Sequence, residues 1–182
     1  VKTIKDCAFY RTDFSEISIP ASVKEYEGTV FEGCGRLKKI NVDSSNAVYS
    51  SDNGVFYNKD KSELIKIPQS MEAETYTIAS TVKTIREYAG IYCSDIQNLI
   101  MSKNVENIGY EAFYNCNGLK TVELNNVVSI ESDAFESCHN LESCTFGNKT
   151  KKIGNMAFAD TNLTTVTIPT SVEKIGDGAF HD

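Results

Sequence analysis

The chain has 182 residues, 41% of them apolar, and a net charge of −7, which suits one elongated domain with a core of its own. Its 18 basic residues are scattered among 25 acidic ones, so it lacks the clustered Lys and Arg that a phosphate backbone requires, and nucleic acid is excluded as a partner. No run approaches the length of apolar sequence that spans a bilayer.

In chain order the sequence opens on Val1-Lys2-Thr3-Ile4, which duplicates Val82-Lys83-Thr84-Ile85. A first cycle of apolar positions follows at Ile4, Ala8, Phe9, Phe14, Ile17, Ile19 and Val23, and a second at Tyr26, Val30, Phe31, Cys34, Leu37, Ile40 and Val42. The period then breaks. From Tyr26 to Ile85 is 59 residues, one cycle plus a longer segment over 43–84. Within it Gly54–Tyr57, Asn58–Ser62 and Glu63–Pro68 read as strand, turn and strand. The cycle resumes at Ile85, Ala89, Cys93, Ile96, Leu99 and Met101, with Gly90 where Phe is expected. The clearest copy is Ile108, Ala112, Phe113, Cys116, Leu119, Val122 and Leu124; others open at Ile130 and Ile153, and a last one is cut short at Ile175, Ala179 and Phe180. Openings 22 to 23 residues apart describe a stack of about six to seven coils, each stable only against its neighbours. Neither end has a polar capping unit, so the 182 residues read as a single repeat domain cut from a longer chain.

The internal pattern changes period within each coil. Val122 and Leu124 alternate with Thr121 and Glu123, the signature of a short strand with one face inward. Ala-Phe-x-x-Cys has the spacing of a helical or 3₁₀ turn. One strand and one turn per coil is the leucine-rich-repeat plan, with parallel strands about 4.8 Å apart. The pattern Ile-Gly-x-x-Ala-Phe-x-x-Cys-x-x-Leu-x-x-Val-x-Ile-Pro-x-Ser-Val-x-x-Ile closely resembles the BspA-like leucine-rich repeats, and Ile168–Ile175 and Ile19–Val23 match its linking segment. The predicted fold is therefore a curved, right-handed leucine-rich-repeat solenoid, with a parallel sheet on the concave face and short helical or 3₁₀ turns on the convex face. Members of that family are typically surface or secreted proteins of mucosal bacteria and protozoa, and several are adhesins. The resemblance thus implies a cell-surface or extracellular location and another protein as partner, such as host matrix or a surface glycoprotein.

Little in the sequence points to chemistry. Cys34, Cys93, Cys116 and Cys138 share one register, and Cys144 takes the inward strand position of Val122, so they read as a column of small buried side chains. Disulfides among Cys93, Cys116 and Cys138 stay open as an alternative if their Cα atoms lie within about 4.4–6.8 Å. Only His139 and His181 are present, and no nucleophile elbow, phosphate loop or zinc motif appears; no enzyme, metal or cofactor is expected. Asn58-x-Asp60-x-Ser62 lacks the Gly and distal Glu of a calcium loop and reads as a turn. Asn148-Lys-Thr150 and Asn162-Leu-Thr164 are acceptor triplets for glycosylation in a eukaryotic secretory pathway.

Strand alternation names the outward residues of the concave sheet: Glu16 and Ser18; Lys39 and Asn41; Asn98, Ile100 and Ser102; Thr121, Glu123 and Asn125; Ser143 and Thr145; Thr165 and Thr167. This face is the leading binding surface, although Thr stacked on Thr is also good sheet chemistry. The inserted segment is the second candidate, with Tyr49, Phe56, Tyr57 and Tyr76 as anchors. The predicted function is non-enzymatic adhesion or protein binding, and the alternative is a structural spacer without a ligand. A glycan-binding module would need exposed aromatic platforms, and the alternation places none on the concave face.

Overall fold

The computed structural model describes residues 1–182. Its strands in chain order are β1 (Thr3–Ile4), β2 (Glu16–Ile19), β3 (Glu25–Tyr26), β4 (Lys39–Val42), β5 (Tyr49–Asp52), β6 (Val55–Asn58), β7 (Glu63–Lys66) and β8 (Thr75–Thr77). They continue as β9 (Thr84–Ile85), β10 (Asn98–Ile100), β11 (Asn107–Ile108), β12 (Thr121–Glu123), β13 (Ser129–Ile130), β14 (Ser143–Thr145), β15 (Lys152–Ile153) and β16 (Lys174–Ile175). The longer strands stack in parallel on one side, β2 on β4 and β8–β10–β12–β14 in order. The short ones stack on another, β1 on β3 and β7–β9–β11–β13–β15–β16. With coils opening at Ile4, Tyr26, Tyr49, Ile85, Ile108, Ile130, Ile153 and Ile175, the chain is a parallel solenoid of about eight turns.

The third side corrects the expectation of helical or 3₁₀ turns, for the chain contains no helix. Residues three and seven places after the opening position take left-handed backbone: Tyr88 and Tyr92 (φ 59° and 62°), Glu111 and Asn115 (48° and 54°), Asp133 and Ser137 (59° and 58°), Met156 and Asp160 (52° and 51°). A left-handed residue at every fourth position ends any right-handed helix. It also turns alternate amides along the stack. The N–H groups of Glu111, Phe113 and Asn115 donate to the carbonyls of Ser132, Ala134 and Glu136 in the next coil (3.2, 2.8 and 2.8 Å). Ala112 and Tyr114 donate back to Gly109 and Glu111 within their own coil. The Ala-Phe-x-x-Cys stretch is therefore two tight turns that build a third intercoil ladder, and its three-to-four spacing serves burial of Ala112, Phe113 and Cys116.

Each repeated side chain fills a column. Phe113, Phe135, Phe158 and Phe180 stack at 5.3, 5.1 and 5.4 Å with planes within 10° of parallel. Gly90 stands where the column would begin, and a β-carbon there would come within 2.6 Å of the Phe113 ring. The buried cysteines are all free thiols. They act as short donors into the coil before: Cys34 Sγ reaches the Phe9 carbonyl (2.9 Å), Cys116 that of Gly90 (3.0 Å) and Cys138 that of Phe113 (3.2 Å). No other donor reaches the Phe113 carbonyl. Cys138→Ala should therefore lower stability by about 1–3 kcal/mol, the cost of an unpaired buried acceptor, while Cys138→Ser keeps a donor and should lose less; comparative thermal melts check this.

The 43–84 segment is an internal partition. After β4 the chain reaches the opening position of a coil at Tyr49, then makes the antiparallel hairpin β5–β6–β7 in place of the turn. Asp60 closes the β6–β7 turn, accepting from the Ser62 N–H and hydroxyl (3.0 and 2.7 Å). Phe56 and Ile65 belong to a 12-residue N-terminal core, Val55, Tyr57 and Leu64 to a 30-residue C-terminal one. Past β7 the chain supplies substitutes for the missing turn donors. Lys66 Nζ, the Ile67 N–H and Gln69 Nε2 reach the carbonyls of Tyr88, Ala89 and Ile91 at 2.8, 2.7 and 3.5 Å.

Lys66 is 2% exposed, and burial pushes its ammonium below the ordinary lysine range. The unfolded chain then holds that proton more tightly than the folded one, so stability rises with pH from the folded value up to about 10.4. Cys93 and Cys116 act oppositely. The neighbouring Cys116 thiol and burial raise Cys93, burial above all raises Cys116, and the stability they carry is lost as pH rises through their folded values. Comparison with Lys66→Met isolates the lysine: the wild type should gain stability relative to the variant as pH rises toward the unfolded lysine value of about 10.4. Urea titrations at several pH values check it; a constant difference would show that Lys66 does not titrate differently on folding.

Candidate binding face

The residues that face outward on the long strands are set by the buried ones between them. Ile40, Leu99 and Val122 point into the core with at most 1% exposure, and Ile17 and Cys144 are half-buried in the same column. Parallel register then aligns Thr75, Asn98, Thr121 and Ser143 in one outward row, and Thr77, Ile100, Glu123 and Thr145 in another. The first row is linked by hydrogen bonds from Asn98 Nδ2 to Thr75 Oγ1 (3.3 Å) and from Thr121 Oγ1 to Asn98 Oδ1 (2.8 Å). Glu16, Ser18, Lys39 and Asn41 form a separate exposed patch on β2 and β4. There Lys39 Nζ lies 3.6 Å from Glu16 and Asn41 Nδ2 donates to Glu16 at 3.5 Å. The hairpin divides the patches: the Ile40 N–H donates to the Gly54 carbonyl (2.8 Å), which ends β4's ladder.

Other residues of the expected face have different positions. Ser102 and Asn125 lie just past the strands, and their side chains bind the backbone of the coil before, at Ala79 O (3.2 Å) and Met101 O (2.6 Å). Thr165 and Thr167 are exposed but unpaired with β14, and a cavity of about 360 Å³ opens between them and Ser143 and Thr145. Thr75 and Thr77 were not foreseen; the Thr-Tyr-Thr alternation that signals them sits directly after the inserted segment, where the coil register is lost. The insertion's aromatics face inward. Tyr49, Phe56 and Tyr57 are buried, and half-buried Tyr76 places its hydroxyl 3.1 Å from that of Tyr57.

Chemically this face is two rows of hydroxyls with one amide (Asn98), one carboxylate (Glu123) and one apolar side chain (Ile100) on a hydrogen-bonded parallel sheet. No group of three or more His, Cys, Asp or Glu side chains converges on a common point. No helix is long and apolar enough to cross a membrane.

A parallel solenoid with one strand column displaying polar residues defines a leucine-rich-repeat protein. The sequence profile of the BspA type leucine-rich repeat region, six copies, matches residues 1–74 and 69–182, and the chain belongs to that family. A search of curated proteins gives no match. Among solved structures, the pneumococcal vaccine antigen PcpA is similar over 86% of this chain and 39% of its own, with a TM-score of 0.82 and 26% identity. A leucine-rich repeat protein from Eubacterium ventriosum is similar over 99% of this chain and 62% of its own, with a TM-score of 0.60 and 25% identity. A leucine-rich cell surface protein from Faecalibacterium prausnitzii shares the fold over 91% of this chain and 52% of its own, at a TM-score of 0.64 and 22% identity. The chain thus spans less than two thirds of the length of each.

Proposed function

We propose that this chain is a non-enzymatic binding or adhesion module displayed at a cell surface, with another protein seated on the sheet of β8, β10, β12 and β14. The observation that carries the reading is the pair of register-aligned outward rows, a preformed rigid surface whose recognition groups need no ordering on binding. Its kinship with a vaccine antigen and a cell surface protein supports the location. Host matrix and surface glycoproteins are the partners proposed for it. One observation favours a spacer instead: Thr75, Asn98 and Thr121 satisfy one another across the strands, as a face without a ligand would.

Binding to a panel of matrix glycoproteins and mucins separates the two. A variant carrying Thr77→Lys, Thr121→Lys and Thr145→Lys should remain folded and lose at least about tenfold in affinity, roughly 1.4 kcal/mol. Unchanged binding would move the site off this sheet. No binding by the parent chain would favour the spacer.

A further inference from the structure

We propose that the seam left by the missing turn, on the side opposite the strand rows, is a saccharide cleft that takes an N-acetylhexosamine. Every regular coil with a neighbour sends turn amides onward. Phe9 and Arg11 donate to Val30 and Glu32 (3.1 and 3.0 Å), and Tyr88, Gly90 and Tyr92 to Tyr110, Ala112 and Tyr114. The coil opening at Tyr26 sends none. Its Thr29 N–H turns back onto Asp6 Oδ1 (2.9 Å), and the N–H groups of Phe31 and Gly33 find no partner. Across the seam stands Gln69, 5% exposed, with Nε2 engaged on the Ile91 carbonyl and Oε1 unpartnered.

The seam opens as a cleft of about 410 Å³ lined by Tyr10, Arg11, Glu32, Gly33, Gln69 and Tyr92, a size suited to a small ligand. Its aromatic walls are held in place. The Arg11 guanidinium lies 5.0 Å over the Tyr10 ring, and Tyr92 sits edge-to-face with Tyr114 at 6.0 Å. The floor is low at Gly35, where a β-carbon would meet nothing within 4 Å.

Unpaired neutral donors beside an unpaired neutral acceptor call for a ligand that carries both groups close together. An acetamido substituent does so: its carbonyl accepts from the Gly33 N–H, which lines the cleft, and its N–H donates to Gln69 Oε1 once that buried amide turns toward it. Ring hydroxyls then meet Glu32 and Arg11, and the apolar ring face meets tyrosine. An extended peptide fits less well. The facing carbonyls of Ala89 and Ile91 are already taken by Ile67 and Gln69, so the far edge of an inserted strand would lose its own partners. The inference rests on the surface-binding reading only for the availability of glycans, and it uses a different face.

Amide NMR of the labelled chain tests it, with N-acetylglucosamine, N-acetylgalactosamine, glucose, galactose and tetra-alanine as probes, each raised to about 10 mM, where a millimolar ligand saturates. The N-acetylhexosamines should shift Phe31 and Gly33 saturably. Glucose and galactose should bind at least about fivefold more weakly. Tyr92→Ala and the more exposed Tyr10→Ala should each remove the shifts without disturbing the rest of the spectrum. The Lys-substituted sheet variant should keep them. No shifts, equal shifts with plain hexoses, shifts that survive both tyrosine variants, or a response to tetra-alanine alone would overturn the proposal. A chain that binds glycoproteins but shows no such shifts refutes the cleft alone; one that shifts but binds no glycoprotein refutes the adhesion reading alone.

Discussion

Phe135→Ala should lower the stability of the chain by about 3–5 kcal/mol, the usual cost of emptying a buried aromatic site. Phe135 is fully buried and lies between Phe113 and Phe158, with rings 5.3 and 5.1 Å away and nearly parallel. The neighbours cannot close the gap, because each ring belongs to a coil whose spacing is fixed by three hydrogen-bonded columns. In a stack stabilised by nearest-neighbour contacts, damage in the middle also weakens two interfaces at once. Phe180→Ala supplies the contrast. That ring is half-buried and stacks on Phe158 alone, at 5.4 Å, so the loss should be well under half as large. Urea denaturation of both variants checks the order. A smaller slope for Phe135→Ala alone would show the stack parting into independently unfolding pieces, and equal losses would mean that the rings contribute only their transfer energy.

The strand columns were legible in the sequence because one requirement recurs. Ile85, Ile108, Ile130 and Ile153 must each seal the same corner, and Leu99 and Val122 the same sheet, so the period shows despite substitutions between them. The turns were not legible for a physical reason. Helices and paired tight turns both bury residues three and four apart, as Ala112, Phe113 and Cys116 do, and only backbone φ distinguishes them. The left-handed positions are held by Tyr88, Glu111 and Met156 as readily as by Asp133 and Asn115, so glycine, the usual marker, is missing from most of them.

The candidate site divides in the same way. Outward rows follow from alternation wherever the register is known, which is why Thr121 and Glu123 were found and Thr75 and Thr77 were not. The inward fate of Phe56 and Tyr57 carried a usable signal: Val55-Phe56-Tyr57 has no polar residue between apolar ones, the mark of a strand buried on both faces. The seam cleft had no motif at all. It arises from a turn that is absent, and unpaired amides at Phe31 and Gly33 are visible only once the neighbouring coils are in place.

Gly147→Ala should be as damaging as a core deletion, with a loss of about 3 kcal/mol or more, beyond the usual range for overpacking. Gly147 follows β14 and lies directly over Asn125 of the coil before, so that a β-carbon would overlap the Asn125 carbonyl oxygen and approach its carbon. The obstacle is backbone, which no rotamer change can clear. Asn125 is itself pinned by left-handed φ (46°) and by its Nδ2 bond to the Met101 carbonyl. Relief therefore requires the two coils to move apart, against the β12–β14 and β13–β15 pairings on either side. Gly35→Ala is the matched control, for its β-carbon meets nothing within 4 Å and the substitution removes freedom only from the unfolded chain, a gain of up to about 1 kcal/mol. Thermal melts should separate the two in opposite directions. Hydrogen exchange should place the damage of Gly147→Ala at the amides joining the coils of Ile108 and Ile130, because the strain enters there and the rest of the stack keeps its contacts. If exchange instead rose evenly along the chain, the solenoid would be unfolding as one cooperative unit, and the division into two cores by the hairpin would have no energetic counterpart.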